Sequence, residues 1–161
     1  MGKKDDKTNV MRVLDSKKIA YEYFKLEGSD GTMTGVEMAM SQGFPVEATF
    51  KTLVTRGAKG QIYVFMIPVA EELDLKKAAK AVGEKSIAMI LSKELLPLTG
   101  YIHGGCSPIG MKKQYPTVLH ESAGNFDAIY FSAGKIGYQV KVAVEDLKKV
   151  VPVKTADVTV E

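Results

Sequence analysis

From Thr8 onward the apolar residues Val10, Met11, Val13 and Leu14 recur at helical spacing up to the Lys17-Lys18 pair, whose charge suits the negative end of a helix dipole. A first helix is predicted there. Ile19, Tyr21 and Tyr23 then alternate with smaller or polar residues, predicting a half-buried strand that Gly28, Asp30 and Gly31 end. Thr34 followed three residues later by Glu37 makes a capping box. Val36 and Met40 share a face and Gly43 supplies a left-handed stop, so a short second helix follows. Thr49 to Thr55 is rich in β-branched residues. The turn from Gly57 to Gly60 leads into the apolar run Ile62 to Ile67, giving two adjacent strands, the second buried on both faces. Asp74 caps a helix whose Leu75, Ala78, Ala79 and Val82 fall at i, i+3, i+4 and i+7 before Gly83.

The later pattern is more broken. Ser86 to Leu91 reads as a strand, and Ser92 caps a brief helix through Leu95 and Leu96 that Pro97 and Gly100 limit. Thr117 to Leu119, Ala128 to Ser132 and Tyr138 to Val142 are further strands, the last two joined as a hairpin through Gly134 to Gly137. Glu145 to Val150 permits one or two helical turns, and Val153 to Val160 an edge strand or a frayed tail. Because strands and helices interleave irregularly, the expected fold is α+β. It is a single domain over residues 1–161 with a mixed sheet, curled or barrel-like, and surrounding helices. Met38, Met40, Met66 and Met89 read as core filler.

Length and composition narrow the function classes. At 161 residues, with 45% hydrophobic and 25% charged residues, the chain is a globular domain rather than a disordered one. Its one cysteine, Cys106, excludes an internal disulfide, and with only His103 and His120 beside it there is no Cys/His set for zinc. The charged start MGKKDDKTNV is not followed by the apolar run of a signal peptide, and no stretch approaches a membrane span, so a soluble cytoplasmic protein is expected. A net charge of +3 suits a polyanion only if it is gathered on one face.

Two features carry candidate chemistry. Alternation puts Lys51 on one strand face with Thr49 and Leu53, and Phe50, Thr52 and Val54 on the other. Lys51 is either an aliphatic stem with its ammonium in water or a fixed cation for a phosphate, ribose or developing oxyanion. The loop Gly104-Gly105-Cys106-Ser107-Pro108-Ile109-Gly110, with three glycines, either presents amide hydrogens to a ligand or serves as a tight connection. It matches neither a Walker loop nor a GxGxxG dinucleotide turn. Cys106 with His103 or His120 invites a nucleophile reading, beside the plainer one of a passive thiol. Ser132 sits at a strand end, and Lys112, Lys113 and Lys135 flank the glycine-bearing loops.

Taken together, FKTLV (Phe50 to Val54), LDLKKAAKAVGEKS (Leu73 to Ser86), TGYIHGGCSPIGMKK (Thr99 to Lys113) and SAGKIG (Ser132 to Gly137) resemble the YbaK/EbsC family in order and over nearly the whole chain. The GGxSPxG segment with the following Lys112-Lys113 is similar to the Cys-tRNA(Pro) deacylase branch. ProX-type Ala-tRNA(Pro) deacylases and the editing insertion of prolyl-tRNA synthetases share the fold. The resemblance implies a trans-editing enzyme without cofactor or metal that removes cysteine from Cys-tRNA(Pro), and from Cys-tRNA(Cys) when partners do not enforce specificity, with prolyl-tRNA synthetase as a partner. By the same resemblance Lys51, Gly105 and Ser132 form the catalytic set, Lys51 holding the 3′-terminal nucleotide and positioning the ester. Thr52, Gly104, Ser107, Pro108 and Gly134 line the substrate site; Lys112, Lys113 and Lys135, by their charge and their place beside the loops, either meet tRNA phosphates or stay solvated. The family mechanism is substrate-assisted, the cysteine's own thiol attacking the ester. Two alternatives are an Ala-tRNA(Pro) deacylase using water and a non-catalytic module that binds tRNA or a synthetase. One departure is Leu26, where family members often carry tyrosine, with Tyr23 nearby.

Overall fold

The structure, a computed structural model, describes residues 7–26 and 31–160, so the predicted turn at Gly28 and Asp30 lies outside the described residues. Helix α1 (Asn9–Ser16) opens where Thr8 accepts a hydrogen bond from the Met11 amide, and it buries Val10, Met11 and Leu14. The following strand is shorter and later than its alternation predicts. It is β1 (Glu22–Lys25), confined to the residues that find a partner strand, with Tyr23 opposite Val140 on the core side and Phe24 opposite Gln139 on the other face. Phe24 meets Phe44 and Tyr130 at ring separations of 4.8 and 6.0 Å, whereas Tyr23 is 46% exposed.

Helix α2 (Gly35–Gln42) carries the predicted capping box in both directions, between Thr34 and Glu37, and stops at Gly43 with φ of 77°. Strands β2 (Phe50–Gly57) and β3 (Ile62–Pro68) pair antiparallel from Phe50 opposite Pro68 to Arg56 opposite Ile62. Every residue of β3 is buried, as a strand covered on both faces requires. Asp74 caps α3 (Leu75–Val82) by accepting from the Lys76 and Lys77 amides, and Gly83 ends it. After β4 (Ile87–Met89) a 3-10 turn over Ser92–Glu94 runs into α4 (Leu95–Thr99). Two details here depart from expectation. Ser92 is not the cap, since the Glu94 carboxylate accepts from the Leu91 amide instead. Pro97 does not end the helix because it sits in the first turn, where a missing N–H costs nothing, and Gly100 ends it. Strands β5 (Thr117–His120), β6 (Ala128–Ser132) and β7 (Tyr138–Ala143), helix α5 (Val144–Val150) and strand β8 (Val153–Ala156), with 3-10 turns over Val46–Ala48 and Glu121–Asn125, complete the described elements.

The strands form two sheets, one ordered β4-β2-β3-β5-β8 and the other β1-β7-β6. The larger is mixed as predicted: β5 runs parallel to β3 and to β8, while β2 is antiparallel to both its neighbours. The two sheets do not close into a barrel. They meet through a bridge between Thr49 and Tyr130, beside the start of β2 and within β6. One cluster, including Phe50, Val54, Val64, Met66, Leu119, Phe131 and Val140, fills the space between the sheets with α1 and α5 over it. A second joins Tyr63, Phe65, Ile67 and Val118 to Ala78 and Ala79 of α3 on the opposite face of β3. Of the four methionines read as core filler, Met66 is fully buried, but Met40 and Met89 are 69% and 45% exposed. An eight-residue helix presents one stripe to the sheet and leaves Met40 off it, and β4 is an edge strand. No helix among the described residues is long and apolar enough to cross a membrane.

Candidate functional site

A cavity of about 270 Å³ opens at the seam between the two sheets. Its position follows from the strand pairing. Strand β4 covers β2 only at Thr55, Arg56 and Gly57, and the bridge to β6 occupies Thr49. Between them the outer edge of β2, from Phe50 to Leu53, has no strand beside it among the described residues. The cavity lies along this stretch and is lined by all four of those residues. An open edge presents main-chain donors and acceptors, and side chains from both faces reach it. That is why Lys51 and Thr52, which alternation puts on opposite faces, share one cavity. Opposite them lie Met33, Thr34, Gly35 and Met38 at the start of α2, His103, Gly104 and Cys106 of the glycine loop, and Ser132, Gly137 and Gln139 of the β6–β7 hairpin.

Lys51 is half-buried and makes no ion pair with any described residue. Desolvation pushes its pKa below the ordinary value of 10.5, and the fields of Glu72 and Glu71 oppose that shift. The Thr52 hydroxyl is buried without a hydrogen-bond partner among the described residues, a costly state for a polar group. No carboxylate among the described residues lines this cavity.

The glycine loop is held from both ends. Lys112 donates its amide to the Thr99 carbonyl at 3.0 Å, closing the segment. The Tyr101 hydroxyl donates to the Ile109 carbonyl at 2.5 Å and accepts from the Asn9 amide nitrogen, which also donates to Gly110. Gly104 lines the cavity with φ of 88°, a conformation that favours glycine. Gly105 lies against the hairpin turn instead, and its N–H donates to the Ile102 carbonyl at 2.9 Å. A Cβ there would approach the Ile136 nitrogen to 3.0 Å and Lys135 to 3.2 Å. Gly105→Ala is therefore expected to push the loop from the hairpin and to lower stability by about 1–3 kcal/mol, measured by denaturant unfolding, with activity falling alongside.

Ser107 and Pro108 are buried beneath the loop, the Ser107 hydroxyl accepting from the Ile109 amide, and neither lines the cavity. Gly134, with φ of 92°, packs against Tyr101, where a Cβ would come within 2.9 Å of the ring, and its N–H donates to the Ser132 hydroxyl at 3.1 Å. Lys112, Lys113 and Lys135 are exposed and outside the cavity. Lys113 lies over the Tyr115 ring and Lys135 over the Tyr138 ring. Tyr23 and Leu26 do not line the cavity either.

Of the three residues that suggest a protein nucleophile, His103 and Cys106 line the cavity, whereas His120 lines a separate cleft and accepts the Val158 amide on Nδ1. Burial raises the Cys106 thiol to about 12, the Thr99 hydroxyl opposing the shift, so the thiolate is scarce at neutral pH. Among the described residues no three His, Cys, Asp or Glu side chains come together as a metal site. Lys51, Thr52, Gly104 and Ser132 are thus brought to one cavity. Sequence reasoning misses Gln139, buried to 7% exposure. The signal available was its place opposite Ser132 on the outward face of the hairpin, a face that ordinarily meets solvent.

Comparison with known proteins accords with this arrangement. The family model for the aminoacyl-tRNA editing domain matches residues 29–150. A protein of Enterococcus faecalis, named a candidate Cys-tRNA(Pro)/Cys-tRNA(Cys) deacylase, EbsC, is 44% identical over 157 residues, covering 98% of this chain and 96% of the relative. The solved structure of a candidate trans-editing enzyme for prolyl tRNA synthetase superposes with a TM-score of 0.84 at 25% identity, covering 95% of this chain and 96% of that one. A hypothetical protein of known structure, 19% identical, shares the fold with a TM-score of 0.85 over 94% of this chain and 99% of its own. The chain belongs to the aminoacyl-tRNA editing domain family, in the YbaK/EbsC branch that its four motifs suggest.

Proposed function

We propose that the cavity beside Lys51 cleaves the aminoacyl ester of Cys-tRNA(Pro), and of Cys-tRNA(Cys) where specificity is not imposed from outside, through attack by the substrate's own thiol. The observation that carries this reading is a half-buried cation, unpaired among the described residues, in a cavity where those residues supply no competent nucleophile or carboxylate base. The E. faecalis relative is named for the same substrates.

In the proposed step the substrate sulfur, losing its proton, attacks the ester carbonyl carbon and forms a carbon–sulfur bond. The bond to the ribose oxygen breaks, its electron pair stays on that oxygen, and a proton restores the tRNA hydroxyl. The amino acid leaves as a cyclic thioester. Lys51 holds the 3′-terminal nucleotide and stabilises negative charge on the sulfur and carbonyl oxygen, while Gly104 and the open edge of β2 orient the ester. Thr52 and Ser132 contact the same end of the substrate. Gly105, Gly134, Ser107 and Pro108 fix the loop and hairpin that frame it, and Lys112, Lys113 and Lys135 meet phosphates beyond the cavity. Residues 1–161 act as one domain in the cytoplasm. A small domain has little surface with which to identify one tRNA, so prolyl-tRNA synthetase supplies part of the identity. The editing logic is that cysteine and proline are close in size and a single pocket separates them weakly.

The test is deacylation of Cys-tRNA(Pro), Ala-tRNA(Pro) and Pro-tRNA(Pro) by the full chain. Cysteine is expected to be released fastest. Preferential release of alanine would favour a water-using deacylase, and cleavage of none would favour a binding module. Cys106→Ser is expected to stay within about threefold of wild type in the same assay, a change of under 1 kcal/mol in the barrier.

A further inference from the structure

We propose that the side-chain amide of Gln139 accepts the α-amino group of the aminoacyl ester, making Gln139 the residue that reads the free amino end of the substrate; this rests on the deacylase reading above. Along β7, Tyr138, Val140 and Val142 turn into the core, which puts Gln139 on the other face, opposite Ser132 in β6 and Phe24 in β1. Alternation alone would leave that face in water. Gln139 is nonetheless 7% exposed, because its side chain ends in the cavity that the start of α2 and the glycine loop enclose.

The Gln139 amide makes no hydrogen bond with a described residue, and its polar atoms open on the cavity, where a ligand can meet them. The polar groups around it narrow what the partner is. Among the described residues the cavity holds a cation, Lys51, and no carboxylate, so an α-ammonium meets repulsion and no ionic partner there. The uncharged amine is favoured and requires a neutral acceptor. The Ser132 hydroxyl already accepts from the Gly134 amide at 3.1 Å, whereas the Gln139 carbonyl oxygen is uncommitted.

The proposal is tested with Cys-tRNA(Pro) and N-acetyl-Cys-tRNA(Pro) as substrates for the full-length wild type, Gln139→Met and Gln139→Glu. Acetylation is expected to lower wild-type kcat/KM by about tenfold, the loss of one neutral hydrogen bond, chiefly through KM. Gln139→Met, which keeps the side chain's shape, should lose the same factor on the free-amine ester and show no further loss on acetylation. Gln139→Glu should keep the discrimination and carry its rate on the free-amine ester to lower pH, since a carboxylate accepts the ammonium. An acetylation penalty of equal size in wild type and Gln139→Met, or none in wild type, overturns the proposal. If Gln139→Met does not fold, as read by thermal unfolding, an unshifted pH profile in Gln139→Glu overturns it. Cleavage of neither ester by wild type instead overturns the deacylase reading on which the proposal stands.

Discussion

Replacing Lys51 with alanine is expected to reduce kcat/KM on Cys-tRNA(Pro) by about 10²–10³-fold, the range seen when one preorganised electrostatic group is removed from a reacting centre. The loss should exceed that of any other cavity substitution, because Lys51 is the one lysine or arginine among the described lining residues and no described carboxylate stands beside it there. Folding should be unharmed. The half-buried ammonium is desolvated and, among the described residues, unpaired, so its charged form is less favourable in the native state than in the unfolded chain. A lysine whose folded pKa is lowered disfavours the fold below that pKa. The penalty is relieved as pH rises from the lowered value toward 10.5, since there the unfolded chain holds a proton that the native state has released. Lys51→Met should therefore melt no lower than wild type at pH 7, and any advantage should shrink as pH approaches 10.5. Activity follows the same titration in the opposite sense: it should fall on the alkaline side earlier than an unperturbed lysine would allow.

The second large effect concerns the substrate. S-methylation of the esterified cysteine should reduce cleavage to the uncatalysed rate, and serine and alanine esters should be poor substrates, because the cavity offers no replacement for the sulfur. Cys106 cannot take over, with its thiol raised to about 12, and His120 lies in another cleft. Continued rapid cleavage of the S-methyl ester would mean that water attacks, with His103, which lines the cavity, as the first candidate to activate it.

Much of the fold is legible in local chemistry. The capping box at Thr34 and Glu37, the cap at Asp74, the stops at Gly43 and Gly83, and the all-apolar β3 are short-range signals that tertiary contacts have no reason to override. Where pairing decides, the sequence is a weaker guide. The alternation of Ile19, Tyr21 and Tyr23 marks the core side, where Ile19 and Tyr21 pack, but β1 spans only the residues that pair with β7, and there Tyr23 stays 46% exposed while Phe24 finds its ring contacts on the other face. The candidate site divides in the same way. Lys51, Thr52, Gly104 and Ser132 stand in motifs and reach one cavity. That cavity exists because β4 covers only three residues of β2, a long-range fact with no local signature. Gln139 is hidden for the same reason, since its burial depends on elements distant in sequence. Gly105 is conspicuous as a glycine, but its close approach to Ile136 and Lys135 becomes visible only when loop and hairpin are placed together.

The division of labour between cation and thiol is tested most directly by single-turnover deacylation of Cys-tRNA(Pro) with wild type, Lys51→Ala and Cys106→Ser side by side. Wild type and Cys106→Ser should release cysteine at nearly the same rate and Lys51→Ala at close to the background rate. An active Lys51→Ala protein, or an inactive but folded Cys106→Ser protein, would contradict the assignment of Lys51 as the group that positions the ester and of the substrate sulfur as the nucleophile.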